Sequence, residues 1–119
     1  MVATAKLAPP NSIILVMDPA WRYIPQGHSL IVANRGCLAV GCRAEIDDET
    51  EVRLGWDREV DPGAKEAYSG TLKTPTGVVS VRTVLDAEVL VLMVNRTEVG
   101  IRVWVNDDHE PDLVIVGVS

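Results

Sequence analysis

The feature that most constrains this chain is the interval between its turn signals. From Asn11 to the last residue, short runs of apolar or alternating side chains are broken every eight to twelve residues by Asp-Pro, Asn-x-Gly, Pro-x-Gly or acidic clusters. No window holds apolar residues at i, i+3, i+4 and i+7 over three turns. A strand needs only four to eight residues, while a helix long enough to bury a face needs ten or more. Turns this closely spaced therefore predict strands. There is no room for the crossover helices that join parallel strands in alternating β/α folds. The expected fold is all-β: an antiparallel β-sandwich or partly closed barrel of about eight or nine strands.

Composition supports this expectation. Hydrophobic residues make up 47% of the 119 positions, dominated by Val and Leu with no Phe. β-Branched side chains pack well on a pleated surface. A chain of this length buries enough surface to fold without a metal or disulfide. Residues 1–11, stiffened by Pro9 and Pro10, read as a loose N-terminal leader, with a single β-sandwich domain over 12–119.

Along the domain, strands are expected at Ser12 to Met17, Ser29 to Ala33, Cys37 to Ile46 and Thr50 to Trp56. Asp61-Pro62 has the form of a cap and first residue of one helical turn. Ala67 to Thr74 and Val78 to Val84 read as a hairpin about Pro75-Thr76-Gly77, and Glu88 to Val94 follows. The chain ends in Val99 to Asn106 and Leu113 to Val118. The last strand is apolar on both faces and so is expected in the middle of a sheet. The segment Asp18 to Gly27 carries Trp21, Tyr23 and Ile24, and is expected to pack over one end of the core.

Net charge is −6. This argues against nucleic acid and anionic membranes, which select basic surfaces, and suits a basic partner protein. No segment reaches the ~20 apolar residues of a membrane helix, and the first residues hold no apolar run of signal-peptide length. Cys37 and Cys42, five positions apart on one extended segment, point to opposite faces and are read as free thiols. Together these features place the expected location in the cytoplasm.

The acidic residues are concentrated. Glu45, Asp47, Asp48, Glu49 and Glu51 fall in one window, and Asp107, Asp108, Glu110 and Asp112 in another. Solvated turns account for such residues through local hydrogen bonding. Two functional readings stand beside that one. The first is an acidic face for a basic protein, with Trp104, Arg102, Asp107, Asp108 and Trp21 as candidate contacts. The second is a ligand-binding module for calcium, with Asp107, Asp108, Glu110, Asp112, Asp47 and Asp48 as candidate oxygen donors, or for carbohydrate. The Asp-x-Asp-x-Asp-Gly loop of dedicated calcium sites is absent, and no cofactor is expected. His28 and His109 are the only histidines, and no serine lies in a nucleophile-elbow context, so a small hydrolase is a third and lesser reading. Exposed edge strands would allow a homo-oligomer.

The stretch Tyr68 to Thr83, with its strand, Pro-x-Gly turn and strand, followed by Ile101-Arg102-Val103-Trp104, resembles the core of small bacterial proteins of the competence protein J type. The resemblance covers about a third of the chain. It implies a β-sandwich that binds and inhibits a nuclease, and it assigns no site residue.

Overall fold

The computed structural model describes residues 2–44 and 46–119. Ten strands form two five-stranded sheets packed face to face, so the fold is a sandwich and not a closed barrel. The strands are β1 (Ala3–Leu7), β2 (Ile13–Met17), β3 (Ile31–Ala33), β4 (Cys37–Gly41), β5 (Thr50–Trp56), β6 (Lys65–Lys73), β7 (Val78–Thr83), β8 (Glu88–Met93), β9 (Glu98–Val105) and β10 (Leu113–Val118). The first sheet has the order β1-β5-β10-β9-β6 and the second β3-β4-β2-β7-β8.

The alternation of side chains explains the layers. Val52 and Leu54 of β5, Ile101, Val103 and Val105 of β9, and Val114, Val116 and Val118 of β10 point inward. They meet Ile14 and Val16 of β2, Leu38 and Val40 of β4, and Val79 and Val81 of β7. Each such side chain contributes roughly 1.5–3 kcal/mol when fully buried. Strand β10 lies between β5 and β9, as its two apolar faces require. Its outward Ile115 is covered by Val60 and Trp104. Strands β2 and β4 are likewise apolar on both faces, and their outward Leu15, Met17, Cys37 and Ala39 lie with Trp21 in a separate outer cluster.

Four expectations are corrected. The stretch read as a loose leader contains β1, which pairs with β5 from Ala3↔Leu54 to Leu7↔Thr50; the five residues alternate between half-buried and exposed, a pattern too short to stand out beside the prolines. Met1 lies outside the described residues. Asp61-Pro62 starts no helix; the only helical turn among the described residues is a 3-10 turn at Pro10–Ser12. Strand β4 stops at Gly41 rather than Ile46: the Cys42 N–H still reaches the Ser12 carbonyl beside β2, but the chain bends at Arg43, whose N–H bonds the Pro111 carbonyl of the loop before β10. Finally, β6 and β7 do not form a hairpin. β6 pairs with β9 in the first sheet and β7 with β2 and β8 in the second, so Pro75-Thr76-Gly77 is a corner between sheets.

That corner is held by a buried carboxylate. Asp18 has no exposed surface. Its oxygens accept hydrogen bonds from the Thr76 backbone N–H (2.7 Å) and hydroxyl (2.8 Å), from the Val78 N–H (3.4 Å) and from the Ala20 N–H (2.8 Å). In the sequence Asp18-Pro19 reads only as a strand terminator.

One ladder is parallel. β10 runs beside β5 with Leu113↔Glu51 through Val118↔Trp56. Parallel neighbours begin at the same end of a sheet. The loop before β10 and the loop before β5 are therefore brought together, and these are the two acidic windows of the sequence.

Candidate partner-binding surface

The two acidic loops meet through their backbones. The Arg43 N–H donates to the Pro111 carbonyl (3.0 Å) and the Glu51 N–H to the Asp112 carbonyl (2.8 Å). Arg43 Nη1 stands 3.2 Å from Asp112 Oδ2. Between the loops lies a cleft of about 380 Å³, lined by Lys6, Arg43 and Arg53 together with Asp48, Glu49, Glu51 and Asp112. Arg53 Nε is 2.6 Å from Glu51 Oε2. The surface is therefore of mixed charge rather than uniformly acidic. Alternation along β5 puts Arg53 on the same side as Glu51, and pairing with β1 sets Lys6 opposite Glu51. These cations lie far apart in the sequence and only the strand pairing gathers them. Glu45, part of the first acidic window, lies outside the described residues.

Within 106–112 most carboxylates are engaged by donors. Asp107 Oδ2 accepts the backbone N–H groups of Glu110 (2.7 Å) and His109 (3.0 Å). These two bonds, the Glu110 one foremost, hold the Asp107 carboxyl below the usual carboxylate range. The sign follows. The order that Asp107 gives the loop is present above the ordinary carboxylate range and lost as pH falls through its lowered value. Asn106 Nδ2 donates to Asp112, and Asn106 Oδ1 accepts from the Asp112 and Leu113 N–H groups (3.2 Å each). Asp108 pairs with Lys65 at 3.1 Å. Glu110, Asp47, Asp48 and Glu49 are exposed. Among the described residues no three His, Cys, Asp or Glu side chains are grouped so as to hold a metal ion. Both histidines are exposed, in separate loops.

Neither aromatic candidate stands free on the surface, and for Trp104, whose pattern in the sequence fits a partner contact and the core equally, the structure decides for burial. Trp104, considered as a partner contact, is only 5% exposed. It packs on Val60 and Ile115 beneath the segment between β5 and β6. Room for its ring comes from Gly117, where a Cβ would stand 2.9 Å from it. Arg102 covers the ring from outside at 4.8 Å. The guanidinium is itself held by Glu66 (Nε 2.7 Å) and Asp57 (Nη1 3.4 Å). Glu66, then Asp57, push the Arg102 pKa further up. The alternation of β9 does place Trp104 opposite Val103 and Val105, but it does not reveal that a loop covers that face.

Trp21 plays the matching part on the other sheet. Its ring lies on Gly36, where a Cβ would meet it at 2.1 Å. Its Nε1 donates to the Tyr23 carbonyl (2.9 Å), which also accepts from Asn34 Nδ2 (2.9 Å). The strap from Asp18 to Gly27 is thus tied to the β3–β4 turn. Only Trp21 packs inward; Tyr23 is 72% exposed and Ile24 is also exposed. This corrects the expectation that all three cover the core.

Cys37 and Cys42 are free and both buried, on opposite faces of the second sheet. Burial pushes the Cys37 thiol up to about 12. It does the same to Cys42, also to about 12, with the Ile14 backbone and Thr50 hydroxyl pulling weakly the other way. Neither is poised as a nucleophile. We predict that Ellman's reagent at about pH 8 titrates neither thiol in the folded protein and both after denaturation. A native thiol reacting at the rate of a free cysteine would contradict this. The linkage has a definite sign. Below about pH 9 folded and unfolded chains both keep these protons, whereas between there and about 12 the unfolded chain releases them first, so stability falls as pH rises.

Fold and surface together define a two-sheet β-sandwich that presents a mixed-charge loop end. No family model matches the sequence, and no curated protein matches it. Among solved structures, the chain is similar to the crystal structure of ComJ from Bacillus subtilis, described as the inhibitor of the DNA degrading activity of NucA. The two agree with a TM-score of 0.72 at 9% sequence identity, over 99% of this chain and 97% of that one. The fold implied by the sequence resemblance is therefore the fold observed.

Proposed function

We propose that this protein is a non-catalytic inhibitor that binds a nuclease. Agreement with a nuclease inhibitor over almost the whole of both chains carries this reading. Charge supports it. An enzyme that degrades DNA must offer a basic surface to phosphates, and a protein of net charge −6 is attracted to such a surface. The end formed by the two loops suits the contact, since Asp48, Glu49 and Glu110 are exposed there beside Asp108. Rim charges of this kind act mainly on the rate of association.

Capture from a native lysate on the immobilised protein, followed by a DNA-degradation assay of what is captured, tests the proposal. The expected result is a nuclease whose activity falls to background at one equivalent of inhibitor. A partner without nuclease activity, or a nuclease that stays active when bound, would overturn it. The surface is tested by Asp48→Asn/Glu49→Gln/Asp108→Asn/Glu110→Gln, leaving Asp107 to hold its loop. With four like charges removed from the rim, association at low salt is expected to slow by about tenfold or more, and the salt dependence to weaken. Unchanged association would move the contact elsewhere on the molecule.

A further inference from the structure

Most cations of this acidic chain are matched to carboxylates. Among the described residues, six of the eleven Lys and Arg side chains stand in ion pairs. Arg58 and Arg96 do not. Both are exposed, and both guanidinium groups stand over one ring, that of Trp56, at 5.5 and 5.6 Å from its centroid. The indole attracts each cation through its quadrupole. It leaves their N–H edges unused, and neither side chain donates a hydrogen bond among the described residues. Trp56 itself packs on the core and ends β5, at the far end of that strand from the acidic loops. The length of β5 sets the two ends roughly 20 Å apart. That is more than two Debye lengths of about 8 Å at physiological ionic strength, so the charge of the acidic loops is screened here.

The backbone beside Arg96 adds donors. In the turn between β8 and β9 the Val94 and Asn95 N–H groups both go to the Gly77 carbonyl (2.9 and 3.0 Å). Asn95 is left-handed (φ 55°), and the next two N–H groups, of Arg96 and Thr97, meet no acceptor among the described residues. Their carbonyls are held from within. The buried Thr74 reaches the Arg96 carbonyl with its hydroxyl (2.6 Å) and the Thr97 carbonyl with its N–H (2.8 Å). In a trans peptide the N–H points opposite to the carbonyl, so the Thr97 N–H is turned outward, away from Thr74. Successive N–H groups in such a turn make an anion-binding concavity. The turn borders a cavity of about 270 Å³ lined also by Pro75, Thr76 and Gly77. Two carboxylates lie close by in the fold. Glu98 is held by Lys73 (2.7 Å), and Asp18 is buried beneath Thr76 with its oxygens occupied by donors.

We propose that Arg58, Arg96 and the outward backbone of the β8–β9 turn form a binding site for a phosphate group carried by a small molecule. Two guanidinium forks and a backbone N–H offer donors from separate directions. A tetrahedral dianion can accept from all of them at once, whereas a planar carboxylate is satisfied by one fork. Its double charge also neutralises the two cations that share the Trp56 ring. Binding of a nucleic-acid strand would call for aromatic faces open to bases and for a basic track beyond the first phosphate. Here the guanidinium groups already stand over the indole, and the flanking lysine, Lys73, is held by Glu98. Recognition therefore ends at the phosphate.

Inorganic phosphate is the first probe, added to the isotope-labelled protein at constant ionic strength and followed by NMR. At about pH 7.5 phosphate and its monoesters are mostly dianions. Saturable shifts of the Arg96 and Thr97 amides and of the Trp56 indole N–H are expected, with a dissociation constant on the order of 1 mM. Thymidine monophosphate is expected to bind as phosphate does, and thymidine not to bind. The exposed pair Arg58→Ala/Arg96→Ala is expected to abolish saturation and to leave the rest of the spectrum in place. Arg96→Lys keeps the charge but loses the planar fork, and is expected to bind about tenfold more weakly. Shifts that never saturate, that acetate reproduces at equal ionic strength, or that persist in the double variant overturn the proposal. So does a single-stranded oligonucleotide that binds far more tightly than the mononucleotide, since the site would then belong to a nucleic-acid surface. None of these outcomes depends on the inhibitor reading, which the DNA-degradation assay decides by itself.

Discussion

Asp18→Ala is expected to lower stability by about 3 kcal/mol, because hydrogen bonds to a charged acceptor are worth roughly 1.5–3 kcal/mol each and stranded donors carry their own penalty. The substitution strands the N–H groups of Thr76 and Val78 at the corner and the N–H of Ala20 in the strap. For a chain of this size the melting midpoint should drop by roughly 10 °C. Thr76→Ala removes the hydroxyl contact but leaves the backbone bond to Asp18, and is expected to cost about 1 kcal/mol. The two substitutions share one network, so the double variant should lose clearly less than the sum. Additive losses would mean that Asp18 does not act through the corner. Since the corner decides which sheet receives β7, Asp18 links a local bond to the topology of the whole fold.

Gly36→Ala is the second large effect. A single methyl at this position would lie 2.1 Å from the Trp21 ring, closer than any relaxation of the ring alone can relieve. Trp21 must leave its seat, uncovering Leu15, Met17, Cys37 and Ala39. A loss of about 2–3 kcal/mol is expected, within the range for overpacking and for exposure of a large apolar side chain. The Trp21→Ala variant supplies the control. In that background Gly36→Ala should cost little, because the space is already free. If Gly36→Ala is as harmful without the indole as with it, the ring contact is not the cause. The strap also presents Tyr23, so its release separates stability from any contact Tyr23 makes with a partner.

Much of the fold was legible in the chain. The spacing of turns predicts short strands, and alternation in Thr50 to Trp56 gives the buried face that β5 shows. The two apolar faces of Leu113 to Val118 predict its central place. The site was legible only in part. Asp107, Asp108 and Asp112 do lie on an exposed loop end, yet Lys6, Arg43 and Arg53 beside them carry no signal in their own neighbourhoods. Trp104 has the pattern of a residue on an outer face, and whether a loop covers that face depends on residues some forty positions earlier.

The difference has one physical origin. Alternation is a property of successive residues, so a sequence alone determines which side chains share a face and where a strand must stop. Pairing is a property of distant segments competing for the same backbone groups. Only the tertiary structure decided that β10 runs parallel to β5, which sets the two acidic loops at one end. It alone decided that Asp18 turns Pro75-Thr76-Gly77 into a corner, sending β6 and β7 to different sheets.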